Sequence, residues 1–333
     1  MPLSLTDRVL KRLTQSGEVP VSGQALAREL GVTRSAVWKA VEGLRRAGYP
    51  VESVAARGYR LGSGVRGVRP GEIEARLADG RLGRPVRHRA VTDSTNRDAE
   101  QWALEGAPEG ALVVAEHQRR GRGRRGRTWC DLPGGSLLLS LVLRPEIPAA
   151  GAPTLTYAAA AGLAEALSAW VPADLIEIKW PNDVLLGGRK AAGILLEMRV
   201  EGQSVDHVIL GVGVNVRGRA LDLPPDVRDT ATTLEEHARP PAPDRLDVLC
   251  RFLREFEVLY DRFLDEGFAP VRSCWTGWFR QAGRPVRVRT PSGLVAGVAL
   301  GLDTDGALLV EQSGGAVARV LAGDLESATV RAA

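Results

Sequence analysis

Three short stretches of the chain gather side chains able to do chemistry. The longest, residues 116–129, carries Arg119, Arg120, Arg122, Arg124, Arg125 and Arg127 around Gly121, Gly123 and Gly126, after Gln118 and before Trp129. Like charges repel, and each glycine adds backbone entropy that folding must remove. The stretch is therefore expected to be a surface loop, mobile until an anion arrives. Glycines let backbone N–H groups approach phosphate oxygens, and guanidinium groups supply forked donors to the same atoms. The plain alternative is a solvated basic run or a nucleic-acid tail. Tails lie at termini, whereas this run lies between the apolar segments 111–115 and 137–143.

The second stretch is Lys179-Trp180-Pro181-Asn182-Asp183, with Lys190 soon after; the third is Ser94-Thr95-Asn96. Residue economy links them. Of 44 basic residues only Lys11, Lys39, Lys179 and Lys190 are lysine, and Asn96, Asn182 and Asn215 are the only asparagines. Where a chain avoids a residue type, a surviving copy marks a place needing a compact ammonium or an amide. Together these groups suit the activation of an acid by a nucleotide. A carboxylate and an ATP phosphate repel each other; lysines and arginines offset that charge and stabilise in-line displacement at the α-phosphate. Asp183 can hold Mg²⁺, which needs only one or two protein carboxylates. Each residue also has a plain reading: Asp183 as a turn cap, Asn215 at a positive-φ position, Ser94 and Thr95 as helix caps, Trp180 as core. Trp129, on the loop side, is where an adenine could stack.

Gly121, Gly123 and Gly126 match the dinucleotide pattern G-x-G-x-x-G, but residues 127–135 do not open a helix with an apolar face, so a Rossmann site is not expected. No G-x-x-x-x-G-K-[ST] occurs, which excludes an ordinary P-loop.

The elements that must position these residues divide the 333-residue chain into an expected winged helix-turn-helix (1–62), a linker (63–82), a central domain (83–270) and a C-terminal small SH3-like β-barrel (271–333). In the first unit, helical spacing of Val9, Leu10 and Leu13, then Leu26, then Val37, Val41 and Leu44 predicts three helices. Gly17 and Gly31 separate them, Gly48 ends the third, and a short hairpin (49–61) comes next. Arg34, Ser35, Trp38 and Lys39 would face a DNA major groove, with Arg57 and Arg60 near phosphates. In the central unit, strands joined by hairpins outnumber helices, so the fold class is α+β with a mixed sheet. Hydrophobic content of 44% and 25% charge describe a soluble globular protein. No apolar run approaches a membrane span, and the spacing of Cys130, Cys250 and Cys274 shows no metal motif, so a cytoplasmic location is expected.

With these motifs in order, the sequence resembles the bifunctional biotin–protein ligase/biotin operon repressor family over nearly its whole length. The carriers of the resemblance are Asp93 to Asn96, Gln118 with the run from Gly121 to Trp129, Lys179 to Asp183, Lys190 with Gly193-Ile194-Leu195, and Gly211 to Asn215. The resemblance implies that biotin and MgATP give biotinyl-AMP and pyrophosphate. A lysine of the biotin carboxyl carrier protein, an acetyl-CoA carboxylase subunit, then takes the biotinyl group. It further implies biotin contacts from Ser94, Thr95, Asn96, Gln118, Gly121, Arg122, Gly123, Arg124, Lys190, Gly193 and Gly211, with Lys190, Arg124 and Arg122 catalytic. ATP is implied to meet Arg124, Trp129, Lys179, Asn182 and Asn215, with Mg²⁺ at Asp183. The implied partners are operator DNA and a second copy of the chain, a homodimer forming when biotinyl-AMP is bound. Two other readings stay open: a regulator that senses a small molecule without turnover, and a lipoate ligase.

Overall fold

The computed structural model describes residues 3–46, 49–62, 67–77 and 80–327. The expected helix end at Ala47 and Gly48, linker residues 63–66 and residues 328–333 lie outside the described residues.

The N-terminal unit comprises α1 (Leu5–Ser16), α2 (Gly23–Leu30), α3 (Arg34–Arg46) and a hairpin of β1 (Val51–Val54) and β2 (Gly58–Leu61). Side-chain oxygens start all three helices: Ser4, Ser22 and Thr33 accept from the backbone N–H of Asp7, Ala25 and Ala36 at 3.1, 3.0 and 3.2 Å. The helical spacing buries Val9, Leu10, Leu13, Leu26, Val37, Val41 and Leu44 in one core. The winged helix-turn-helix forms as expected.

Within the stretch expected as linker, the short helix expected from Gly71 to Leu77 forms. It is α4 (Pro70–Arg76), which buries Ile73 and bonds to α1 through Lys11 and Glu74 at 3.0 Å. Gly71 permits this approach: a Cβ there would lie 2.1 Å from the Asp7 carbonyl oxygen.

The central unit runs β3 (Val86–Arg89), α5 (Thr95–Leu104), β4 (Leu112–Ala115), β5 (Ser136–Leu143), α6 (Leu155–Leu167), β6 (Ile176–Lys179), β7 (Asp183–Leu186), β8 (Arg189–Glu201), β9 (Ser204–Asn215), α7 (Pro225–Arg228), α8 (Arg245–Glu266) and α9 (Phe268–Trp278). Its strands form one seven-stranded sheet in the order β3-β4-β5-β9-β8-β7-β6, parallel only between β3 and β4. Alternation along β4 shows both faces covered. Leu112 and Val114 join the core with α6 and α8, whereas Val113 packs with Ala99, Trp102 and Ala103 of α5. α4 is held on its far side by the Arg76–Asp247 ion pair to α8. α9 is not expected from the sequence, because Pro270 and Gly277 interrupt its pattern. Pro270 lies in the first turn, where its missing N–H costs nothing, and Val271, Trp275 and Trp278 are buried. α9 spans residue 270, so the expected boundary there falls inside a helix packed on α6 and α8.

The C-terminal unit holds β10 (Pro285–Thr290), β11 (Gly293–Leu302), β12 (Leu308–Glu311), β13 (Val317–Val320) and β14 (Asp324–Ser327). The expected small SH3-like β-barrel is not closed among the described residues. The antiparallel order β13-β12-β11-β10-β14 is open, with β13 and β14 as unpaired edges among the described residues. This unit is joined to the central one through Trp180, whose Nε1 donates to the Tyr157 hydroxyl at 3.0 Å, which donates to the Gly306 carbonyl at 2.7 Å. Trp180 is core, as its plain reading had it.

Candidate active site

The β8–β9 register sets Gly193 opposite Gly213 and Leu195 opposite Gly211. Alternate residues Ile194, Leu210 and Val212 enter the core, so the three glycines share the other face. Each leaves room for a particular group. A Cβ at Gly211 would lie 2.0 Å from Asn96 Oδ1, one at Gly213 2.6 Å from Trp129 Cε2, and one at Gly193 3.1 Å from both Trp129 Cζ3 and Lys190 Cε. Above this platform opens a cavity of about 670 Å³. Ser94, Thr95, Asn96, Gln118, Arg122, Gly123, Arg124, Trp129, Lys179, Asn182, Asp183, Lys190, Gly193 and Gly211 all line it.

At one end the groups are neutral and almost fully buried. Ser94 begins α5 without making a side-chain capping bond. Both the N–H and the hydroxyl of Thr95 donate to Gln118 Oε1, at 2.8 and 3.2 Å. Ser140 Oγ lies 2.8 Å from Thr95 Oγ1 and 2.6 Å from Asn96 Oδ1. Asn96 Nδ2 donates to the Leu195 carbonyl at 3.3 Å and to Glu197 Oε2 at 2.9 Å. Sequence reasoning misses Ser140 and Glu197. Ser140 has a visible signal, as the polar residue midway through the apolar run 137–143.

The other end is charged. β6 and β7 pair Lys179 with Asp183 across the Trp180–Asn182 turn. Lys190 Nζ lies 2.7 Å from Asp183 Oδ1 and 5.7 Å from the centroid of the Trp129 ring. Arg124 Nη1 donates to Asn182 Oδ1 at 3.2 Å, and Asn182 Nδ2 to the Ile194 carbonyl at 2.6 Å. Burial lowers the Arg124 pKa from its ordinary value, with Asp324 and Asp183 acting against it. A guanidinium keeps its charge at neutral pH regardless.

The Arg/Gly run, expected to be a surface loop mobile until an anion arrives, is packed in this structure. Gly123 N–H donates to the Arg127 carbonyl at 2.7 Å and Trp129 N–H to the Gly121 carbonyl at 2.9 Å. A single 3-10 turn, Arg124–Gly126, closes it. Carboxylates from distant strands offset the repulsion: Glu197 meets Arg122 at 2.5 Å, and Asp324 meets Arg125 and Arg127 at 3.2 and 2.6 Å. At the loop's base Glu116 pairs with Arg245 at 2.7 Å and His88 at 3.0 Å. Burial pushes the Glu116 carboxyl up, but His88 and Arg245 outweigh that and hold it at about 2.

Two of the expected contact residues lie outside the cavity lining. Gly121 does not line the cavity; it lies beneath Trp129, where a Cβ would come 2.4 Å from the Trp129 carbonyl oxygen. Asn215 also lies outside the lining. Its Oδ1 accepts from Ser136 at 3.3 Å and its Nδ2 donates to the Thr232 carbonyl at 3.1 Å, so it fastens the end of β9. In the N-terminal unit, Arg34, Ser35, Trp38 and Lys39 are exposed, opposite the buried face of α3. On the wing Arg57 is exposed, whereas Arg60 is engaged by Glu52 at 2.5 Å.

Comparison with known proteins agrees with this geometry. Residues 89–215 match the biotin/lipoate A/B protein ligase family, 6–60 an HTH domain, and 282–326 the biotin protein ligase C-terminal domain. The chain is 37% identical to the bifunctional ligase/repressor BirA of Bacillus spizizenii, over 98% of this chain and 99% of that one. It is likewise 37% identical to that of Bacillus subtilis, over 98% and 99% of the two chains. Among solved structures, the biotin protein ligase of Aquifex aeolicus with biotin and ATP matches with a TM-score of 0.60 at 27% identity, covering 73% of this chain and 98% of that one. The chain therefore belongs to the bifunctional biotin–protein ligase/repressor family.

Proposed function

We propose that the protein joins biotin to a carrier protein through an adenylate and represses transcription as a biotin-responsive DNA-binding protein. The observation that carries the ligase reading is the division of one cavity into a neutral, hydrogen-bonding end and a cationic end, bridged by Lys190 and Trp129 over a glycine platform. The buried amide and hydroxyl groups of Ser94, Thr95, Asn96 and Gln118 suit the ureido ring of biotin. Trp129 offers its ring face to the adenine. Lys179, Arg124 and Lys190 offset phosphate charge, while Arg122, paired with Glu197 beside Asn96, covers the bound acid. A biotin carboxylate oxygen attacks the α-phosphorus as the bond to pyrophosphate breaks; a carrier lysine amine then attacks the acyl carbon and AMP leaves. Lys190, a mobile point charge, tracks the oxygen as it changes from carboxylate to anhydride.

Asp183 fits a role beside Mg²⁺. It lines the cationic end, and no cluster of three or more metal-binding side chains stands among the described residues, so phosphate oxygens would complete the shell. When bound, the metal would neutralise triphosphate charge, and Asp183 would exchange Lys190 for it.

The carrier is read as the biotin carboxyl carrier subunit of acetyl-CoA carboxylase, and the location as cytoplasmic. Support for a homodimer comes from β8. β7 pairs with it only as far as Gly193, and Met198 and Val200 beyond are exposed, an open edge suited to strand pairing with a second copy. The exposed face of α3 supports operator binding.

Incubating the protein with ATP and either biotin or lipoate, followed by mass analysis, tests the reading. Biotinyl-AMP alone is expected. A lipoyl adenylate, or no adenylate, would overturn it.

A further inference from the structure

We propose that Glu197 is a positioning residue that makes the grip of the Arg/Gly loop depend on the neutral end of the cavity. This rests on reading the cavity as the site of biotin adenylation. The two oxygens of one carboxylate are divided between two structures: Oε2 accepts from Asn96 Nδ2 at 2.9 Å, and Oε1 takes Arg122 Nη2 at 2.5 Å. Asn96 has little freedom to shift alone. Its Oδ1 lies 2.6 Å from the Ser140 hydroxyl and against Gly211, where not even a Cβ fits, and its amide nitrogen also donates to the Leu195 carbonyl. The loop is thus pinned by Glu197 on β8 at Arg122 near its start, by Asn182 at Arg124, and by Asp324 on β14 at Arg125 and Arg127. Only the Glu197 pin touches a residue that lines the neutral end. A ligand that orders Asn96 orients the carboxylate, and the carboxylate holds Arg122 over the cavity. Conversely, releasing Arg122 frees the loop to open without disturbing the cationic end, where Arg124 is held separately by Asn182.

Glu197→Gln separates the two bonds. Its amide oxygen can still accept from Asn96, but its other end becomes an NH₂ facing Arg122, donor against donor. A charge-assisted bond is lost from the loop while the neutral end keeps its partner. The expected result is an about tenfold faster escape of biotinyl-AMP, measured by chase from protein loaded with biotin and ATP. The rate of adenylate formation at saturating substrates should stay within about twofold, and trypsin should cut faster at Arg122. A double-mutant cycle with Arg122→Ala separates coupling from general loosening. If Glu197 acts through Arg122, E197Q adds nothing to R122A. Should E197Q fail to fold, R122Q removes the same bond from the loop side together with Arg122's own cover of the cavity, and should speed escape by at least about tenfold. Unchanged escape, or multiplicative effects of E197Q and R122A, would overturn the coupling while leaving the adenylation reading intact. Absence of adenylate in the parent protein would overturn both.

Discussion

Gly211→Ala offers a sharp perturbation of the end of the cavity proposed to hold biotin, because the damage can be worked out from the structure. The new methyl carbon would be built 2.0 Å from Asn96 Oδ1 and 2.8 Å from its Cγ. Such atoms do not approach closer than about 3 Å, so the amide must move by roughly 1 Å or rotate away. That movement breaks its contact with Ser140, 2.6 Å at present, and pulls Nδ2 from Glu197 at 2.9 Å. A neutral hydrogen bond contributes about 1 kcal/mol and one to a carboxylate about 1.5–3, so about 3 kcal/mol of organisation is lost. Biotin affinity should fall about 100-fold, at about 1.4 kcal/mol per factor of ten. The fold should persist, since alanine is no worse than glycine in a strand with ordinary φ. Affinity for ATP should hardly change, because Lys179, Asp183 and Arg124 lie at the opposite end. Gly193→Ala is the internal control. Its Cβ meets the flexible Lys190 side chain and Trp129 at 3.1 Å, close enough for small shifts to absorb, so only a several-fold effect is expected. Isothermal titration with biotin reads both variants. A G211A dissociation constant within threefold of the parent's, with an unchanged circular dichroism spectrum, would refute the placement of biotin against Asn96.

Other parts of the molecule carry three further expected outcomes. Glu116 is held at about 2 instead of the ordinary 4.5, a difference of about 3 kcal/mol, so its stabilising contribution is present above about pH 4.5 and lost as pH falls toward 2. Urea unfolding across that range should show Glu116→Gln to be destabilised near neutrality and flatter in its acid dependence; parallel curves would contradict this. Arg34→Ala combined with Lys39→Ala should weaken operator binding and reduce its salt slope by about 1 per lost phosphate contact, leaving adenylation intact; equal loss of both activities would make the N-terminal unit structural. If the proposed homodimer pairs through the open edge of β8, Met198→Arg should weaken it by about tenfold in sedimentation experiments, and an unchanged equilibrium would place the interface elsewhere.

Much of this molecule is legible in its sequence where the determinants are local. The caps Ser4, Ser22 and Thr33 and the spacing from Val9 to Leu44 encode the winged unit within a few residues of each feature. The site is legible because its rare lysines and asparagines cluster. The features that are not legible depend on distant partners. The folded state of the Arg/Gly loop rests on Glu197 and Asp324, far from it in the chain, so the loop's own residues show only repulsion. Asn215 borders the site in sequence, yet strand pairing turns its amide toward Ser136 and Thr232. Closure of the C-terminal sheet is a property of which edges meet, and short strands such as β14 do not announce their neighbours.

In the proposed reaction, Lys190 and its surroundings activate biotin with ATP. Biotin-dependent release of pyrophosphate measures this directly, in the parent protein and in Lys190→Ala. The parent should release pyrophosphate only when biotin is present. The variant should do so about 100- to 1,000-fold more slowly while keeping its fold, as expected when a preorganised charge facing the reacting oxygen is removed. Release independent of biotin, or a K190A rate equal to the parent's, would contradict the account.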